Sequence, residues 1–98
     1  RLELRENENV KAANAPNPFN PTTTISYAIN EPGPVSVNIY NTKGQLIRTL
    51  VDDYAPEGMH SATWDGLNDR GESVSSGMYF YRVSTPQGSV TERMMLMK

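Results

Sequence analysis

Turn signals recur along this chain at short, even intervals, and the runs between them alternate in polarity. The signals are "EPGP" (Glu31–Pro34), "TKG" (Thr42–Gly44), "APEG" (Ala55–Gly58), "DGLNDRG" (Asp65–Gly71) and "TPQG" (Thr85–Gly88). In "TISYAIN", Ile25, Tyr27 and Ile29 alternate with Ser26, Ala28 and Asn30. In "PVSVNIYN", Val35, Val37 and Ile39 alternate with Ser36, Asn38 and Tyr40. A period of two gives each strand one buried and one wet face. Proline before each of these runs and glycine after it stop a helix from extending. Short strands punctuated in this way predict an all-β sandwich or barrel.

The strands can be placed. Val35–Asn41 turns through Asn41–Gly44, where Gly44 can take a positive φ, and returns as Leu46–Asp52. In the return strand Ile47 and Leu50 are out of phase, which predicts a bulge or a change of face. "MHSATW" sets His60, Ala62 and Trp64 on one side. "GMYFYRV" sets Tyr79, Tyr81 and Val83 against Met78, Phe80 and Arg82. "SVTERMMLMK" is the last strand, and Val10 is thin support for a seventh near Asn9–Ala15.

Before the first clear strand stands "NPFNP" (Asn17–Pro21). Its prolines donate no N–H and push the preceding asparagines away from helical conformations. The segment is therefore expected to be a stiff arch and not a central strand. Asn side chains should cap nearby backbone there. Phe19 should tuck into the end of the core, and the arch should blunt a sheet edge.

Size and charge narrow the function. The 98 residues suit one domain. The net charge is −2 and the basic residues are dispersed, so no nucleic acid or anionic membrane is expected as a partner. With no cysteine, disulfides and thiolate metal sites are excluded. The run Met94–Met97 is too short to cross a bilayer. The chain begins with Arg1 and is read as a piece of a longer protein. Residues 1–14 are expected to be a linker from an upstream domain, ordered in part at most, and residues 15–98 the β domain.

No catalytic constellation is visible, so the chain is not expected to be an enzyme or to need a cofactor. The single histidine, His60, reads as a structural residue. No serine sits in a nucleophile elbow, and no glycine-rich phosphate loop is present. "DGLNDRGE" groups Asp65, Asn68, Asp69 and Glu72, oxygen donors of the kind calcium takes. Their spacing is not that of an EF-hand loop. A connection of Asx turns, with Gly66 and Gly71 at positive φ, explains it better. Trp64, Tyr79 and Tyr81 have the phase of core residues. Phe80 and Tyr40 point outward but, as two scattered rings, are not expected to form a sugar-binding platform.

In order, "NPFNPTTTISY", "VNIYNTKGQLIRTL", "GMHSATWDGLNDRGESVSSGMYFYRV" and the terminal "RMMLMK" closely resemble the FlgD-like immunoglobulin domain. Domains of that kind are commonly classed as type A C-terminal sorting domains of the type IX (Por) secretion system. The resemblance covers roughly Ala15–Lys98. It implies an immunoglobulin-like β-sandwich of about seven antiparallel strands at the end of an exported bacterial protein. It also implies recognition by outer-membrane secretion machinery, and delivery of an upstream cargo domain through the periplasm to the cell surface or medium. The residues expected to meet that machinery are Arg93, Met94, Met95, Leu96, Met97 and Lys98. Three methionines stand there, where the family often has valine or leucine, so a looser strand is expected. The other role open to such a domain is structural or adhesive: a hook-cap-like assembly module, or a carbohydrate-binding accessory to a secreted enzyme.

Overall fold

Ile25, Tyr27 and Ile29 point inward from one strand, and Val35, Val37 and Ile39 from the next, all nearly inaccessible to water. The computed structural model describes residues 10–98. Among these residues the strands are β1 (Ala12–Ala15), β2 (Thr23–Ile29), β3 (Gly33–Tyr40), β4 (Leu46–Ala55), β5 (Gly58–Trp64), β6 (Gly77–Thr85) and β7 (Gly88–Leu96), with no helix. One sheet has the order β1-β2-β5 and the other β4-β3-β6-β7. All the strand pairings are antiparallel. The fold is an immunoglobulin-like sandwich. The linker reading falls largely on Arg1–Asn9, which lie outside the described residues. From Val10 onward the chain is part of the sandwich: Val10 is buried and β1 pairs with β2.

Both inner faces fill one core. Tyr79, Tyr81 and Val83 of β6 and Val90, Met94 and Leu96 of β7 meet the β2 and β3 residues and Trp64. Burying an aliphatic or aromatic side chain of this size contributes about 1.5–3 kcal/mol, so these pairs of faces hold the layers together.

The irregular strand is β4. Val37 pairs with Val51 but Asn38 with Thr49, and Ile39 pairs with Arg48 but Tyr40 with Leu46. The two residues left over are Leu50 and Ile47. Each bulge turns an out-of-phase apolar side chain toward the core, and both pack against it. The hairpin turn before β4 has Gly44 at φ 81°, stabilised by Asn41 Oδ1, which accepts from the Lys43 and Gln45 N–H groups, each at 2.9 Å.

At the far end of the sandwich, Gly33 is buried against the β6–β7 turn. A Cβ at Gly33 would lie 2.5 Å from Pro86 Cγ, a ring atom that cannot swing aside. Gly33→Ala is therefore expected to destabilise the chain by about 1–3 kcal/mol, the usual cost of overpacking. A denaturant midpoint shift with unchanged slope would show it. An unchanged midpoint would mean that the two turns do not meet this closely.

Candidate functional site

The arch "NPFNP" is joined to the terminal strand. The Phe19 N–H donates to the Met95 carbonyl at 3.0 Å, and the Phe19 carbonyl accepts from the Met97 N–H at 2.8 Å. Asn17 extends the contact: its Oδ1 accepts from the Met95 N–H at 3.1 Å, and its Nδ2 faces the Arg93 carbonyl at 3.5 Å. Phe19 thus forms a parallel bridge to Leu96. A single residue and one side-chain amide stand in for a neighbouring strand along the end of β7. The edge that the prolines blunt is this one, and Asn17 caps a strand far away in sequence instead of its own turn. The arch is held at its base by Thr23, whose hydroxyl donates to the Pro16 carbonyl at 2.9 Å and accepts from Asn14 Nδ2 at 3.1 Å.

The Phe19 ring is 2% exposed and lies 5.7 Å from the Trp64 ring, tilted by 57°. Trp64 meets Tyr79 edge-on at 5.2 Å. Such geometries contribute about 0.5–1.5 kcal/mol beyond area burial. Both polar tips are satisfied: Trp64 Nε1 donates to the Leu67 carbonyl at 2.9 Å and the Tyr79 hydroxyl to the Ser75 carbonyl at 2.7 Å. The aromatic row runs from the arch through the three-stranded sheet to the four-stranded one.

The six terminal residues divide by phase. Met94 and Leu96 are core residues, 1% and 0% exposed. Arg93, Met97 and Lys98 are exposed, and Met95 is half-buried on the outer face. The strand is not loose, because Met94 is fully packed and β7 is paired on both sides at its end. Past it, the Lys98 N–H donates to Ser76 Oγ at 3.1 Å, and its ammonium reaches Ser73 Oγ.

Tyr40 and Phe80 are not scattered. They are register partners across β3 and β6, continued by Leu46 on β4 and Arg93 on β7, with the Met78–Met95 pair in the next row. The signal lay in the pairing register, which local sequence does not give, and the place of Leu46 depends further on the β4 bulges. Beside this row is a shallow hollow of about 280 Å³ lined by Tyr40, Phe80, Arg82 and Thr91. An apolar row with a cationic end therefore adjoins the terminal residues on one outer face.

His60 is half-buried, stacked on Tyr27 at 5.8 Å, with Nε2 2.8 Å from the Pro56 carbonyl. It fixes the β4–β5 turn. Burial pushes the Tyr81 phenol up to about 12, with the charge of Glu92 acting in the same direction, and burial raises Tyr27 as well. Both phenols stay protonated at neutral pH.

The acidic loop is occupied by its own chain. Asn68 Oδ1 accepts from the Arg70 and Glu72 N–H groups at 2.9 and 3.0 Å, and its Nδ2 donates to Glu72 Oε1 at 3.1 Å. Gly66 and Gly71 have φ of 80° and 79°. Asp65 and Asp69 converge on the Arg48 guanidinium at 3.4 and 3.9 Å. Among the described residues no three His, Cys, Asp or Glu side chains group in a way that could hold a metal.

These features define a class: an immunoglobulin-like sandwich of two antiparallel sheets closed at one end by the arch. The family model of the FlgD Ig-like domain matches residues 14–89, so the chain belongs to that family. Solved structures share the fold. PorU of Porphyromonas gingivalis, in its dimeric latent form, is 22% identical, with a TM-score of 0.70, over 89% of this chain and 9% of that one. PorZ of the same organism, described as an essential bacterial surface component of the type-IX secretion system, is 25% identical with a TM-score of 0.59, over 96% of this chain and 12% of that one. A truncated FlgD of Helicobacter pylori is 22% identical with a TM-score of 0.58, over 86% of this chain and 64% of that truncated one. The chain thus spans about a tenth of the length of PorU and PorZ. No curated protein matches it.

With Arg48 already between Asp65 and Asp69, calcium is expected to find no site. Calorimetric titration should give no heat and the melting temperature should not move. A saturable heat with a raised melting temperature would contradict the loop geometry.

Proposed function

We propose that this chain is a non-catalytic sorting domain that directs an exported bacterial protein through the type IX secretion system. The observation that carries the reading is the likeness to PorU and PorZ, which extends over nearly all of this chain and only a small part of theirs. A separable sandwich appended to larger proteins suits a signal read by a common machinery. The surface offered to that machinery is the outer face at the end of β7: Arg93, Met95, Met97 and Lys98. Met94 and Leu96 hold the strand in place from inside. Through this surface the domain would take its upstream cargo to the cell surface or medium.

Strand addition at this end is obstructed, since Asn17 and Phe19 fill the edge. Recognition would therefore use side chains on the face, where a few well-placed residues dominate affinity. A second reading, an assembly module, draws on FlgD, in which this fold covers 61% of the Xanthomonas campestris chain. FlgD of Xanthomonas campestris is described in connection with the hook capping essential for flagellar assembly.

Removing Met94–Lys98 cannot test the sorting role, because it deletes two core residues. The informative variant is Arg93→Glu with Met97→Asp and Lys98→Glu, all at exposed positions. In a bacterium with a type IX system, a reporter carrying an export signal and this chain at its end should reach the surface or medium. The triple variant should fold but be delivered roughly tenfold less, equivalent to about 1.4 kcal/mol of lost recognition, with reporter held in the periplasm. Delivery of the variant at the wild-type level would contradict this assignment. Failure of the wild-type chain to deliver any reporter would favour the assembly reading.

A further inference from the structure

An edge strand exposes unpaired N–H and C=O groups and invites another strand unless it is covered, charged or shortened. Three of the four edges in this sandwich are protected. The end of β7 is filled by Asn17 and Phe19, and the stretch before it carries exposed Glu92 and Arg93. On β4, the Asp69 N–H donates to the Ile47 carbonyl at 3.0 Å and its Oδ1 accepts from the Thr49 N–H at 3.1 Å. The rest of β4 carries exposed Asp52 and Asp53. The strand β1 is only 4 residues long, runs into Pro16 and lies against β7.

The remaining edge, β5, has none of these devices. Its 7 residues, "GMHSATW", contain no Lys, Arg, Asp, Glu or Pro. Among the described residues no backbone hydrogen bond reaches it except from β2. Met59 at its start is 73% exposed. The charges begin at once beyond each end, with Glu57 on one side and Asp65 on the other, both exposed, and Asp52 and Asp53 on the neighbouring β4. At the Asp65 end Arg48 is shared between Asp65 and Asp69, which leaves one net negative charge there, and at the other end Lys11 and Met59 line one shallow hollow.

We infer that β5 is a docking edge for an extended segment of a partner protein, uncharged along its middle and carrying basic residues at both ends. The unpaired backbone of an edge is complementary only to another extended backbone, and the acidic brackets select basic flanks. A second copy of this chain fits poorly: antiparallel pairing of two β5 strands about Ser61 sets each Glu57 against an Asp65. The site belongs to the three-stranded sheet and Arg93–Leu96 to the four-stranded one, and the inference does not depend on the sorting role.

The test uses the isotope-labelled 98-residue chain and a synthetic peptide of alternating valine and threonine with lysines at both ends. Amide shifts should map to Gly58–Trp64, and the amides of β5 that face away from β2 should exchange more slowly. The same peptide ended by glutamates should bind at least about tenfold more weakly. Ser61→Lys, at an exposed position, should abolish binding at an unchanged melting temperature. Should that variant melt lower, Thr63→Lys carries the same test. Shifts on other strands, equal binding of both peptides, or no binding at all would overturn the inference. So would protection of β5 that rises with protein concentration alone, since a second copy would then be the occupant.

Discussion

The contact on which the rest depends is made by one residue between two prolines. Phe19 donates to Met95 and accepts from Met97, while its ring meets Trp64. The arch belongs by connectivity to the three-stranded sheet, since it joins β1 to β2, yet its backbone pairs with the four-stranded one. Phe19 therefore ties the two layers at one end, where an open sandwich would otherwise admit water. The tie also brings together the start and the finish of the described chain. A backbone hydrogen bond of this kind contributes modestly by itself, about 0.5–1.5 kcal/mol. The larger effect is that a buried ring, an aromatic row and two strand ends must form together or not at all.

This arrangement determines where the molecule can interact. Because the arch fills the end of β7, the terminal residues present side chains and not a free backbone. Met94 and Leu96 face the core while Arg93 and Met95 face out, a direct consequence of the two-residue period. The outer row of Leu46, Tyr40, Phe80 and Arg93 joins that surface to the middle of the sheet. The acidic loop folds back on Arg48 and β4, which protects β4, and among the described residues no backbone pairs with the outer edge of β5. Protecting three edges concentrates strand-to-strand association on the fourth.

Much of the fold was legible because the alternation is clean wherever a strand has one dry face. The strands β2, β3, β5, β6 and β7, the hairpin at Gly44, the core roles of Trp64, Tyr79 and Tyr81, and the inward turn of Phe19 all follow from local phase and turn chemistry. The out-of-phase pair Ile47 and Leu50 pointed to an irregular β4, and the two bulges fall at those residues. What local reasoning missed involves partners distant in the sequence. Nothing around Asn17 says that its amide will cap Met95, and nothing around Tyr40 says that Phe80 will lie opposite. The firm packing of the methionine-rich end was also missed, because a flexible side chain in a closed core is held by neighbours that composition does not reveal. The family resemblance supplied the architecture, and the division of Arg93–Lys98 into core and surface came only from the folded structure.

The most direct measurement is native-state amide hydrogen exchange at Phe19 and Met97. If the arch closes the sandwich, both amides are protected to the same free energy as the β6 amides of Tyr79–Val83 and open only with global unfolding. Exchange of Phe19 and Met97 at free-loop rates while β6 remains protected would show that the arch is a detachable surface loop, and the account of the terminal strand would fail with it.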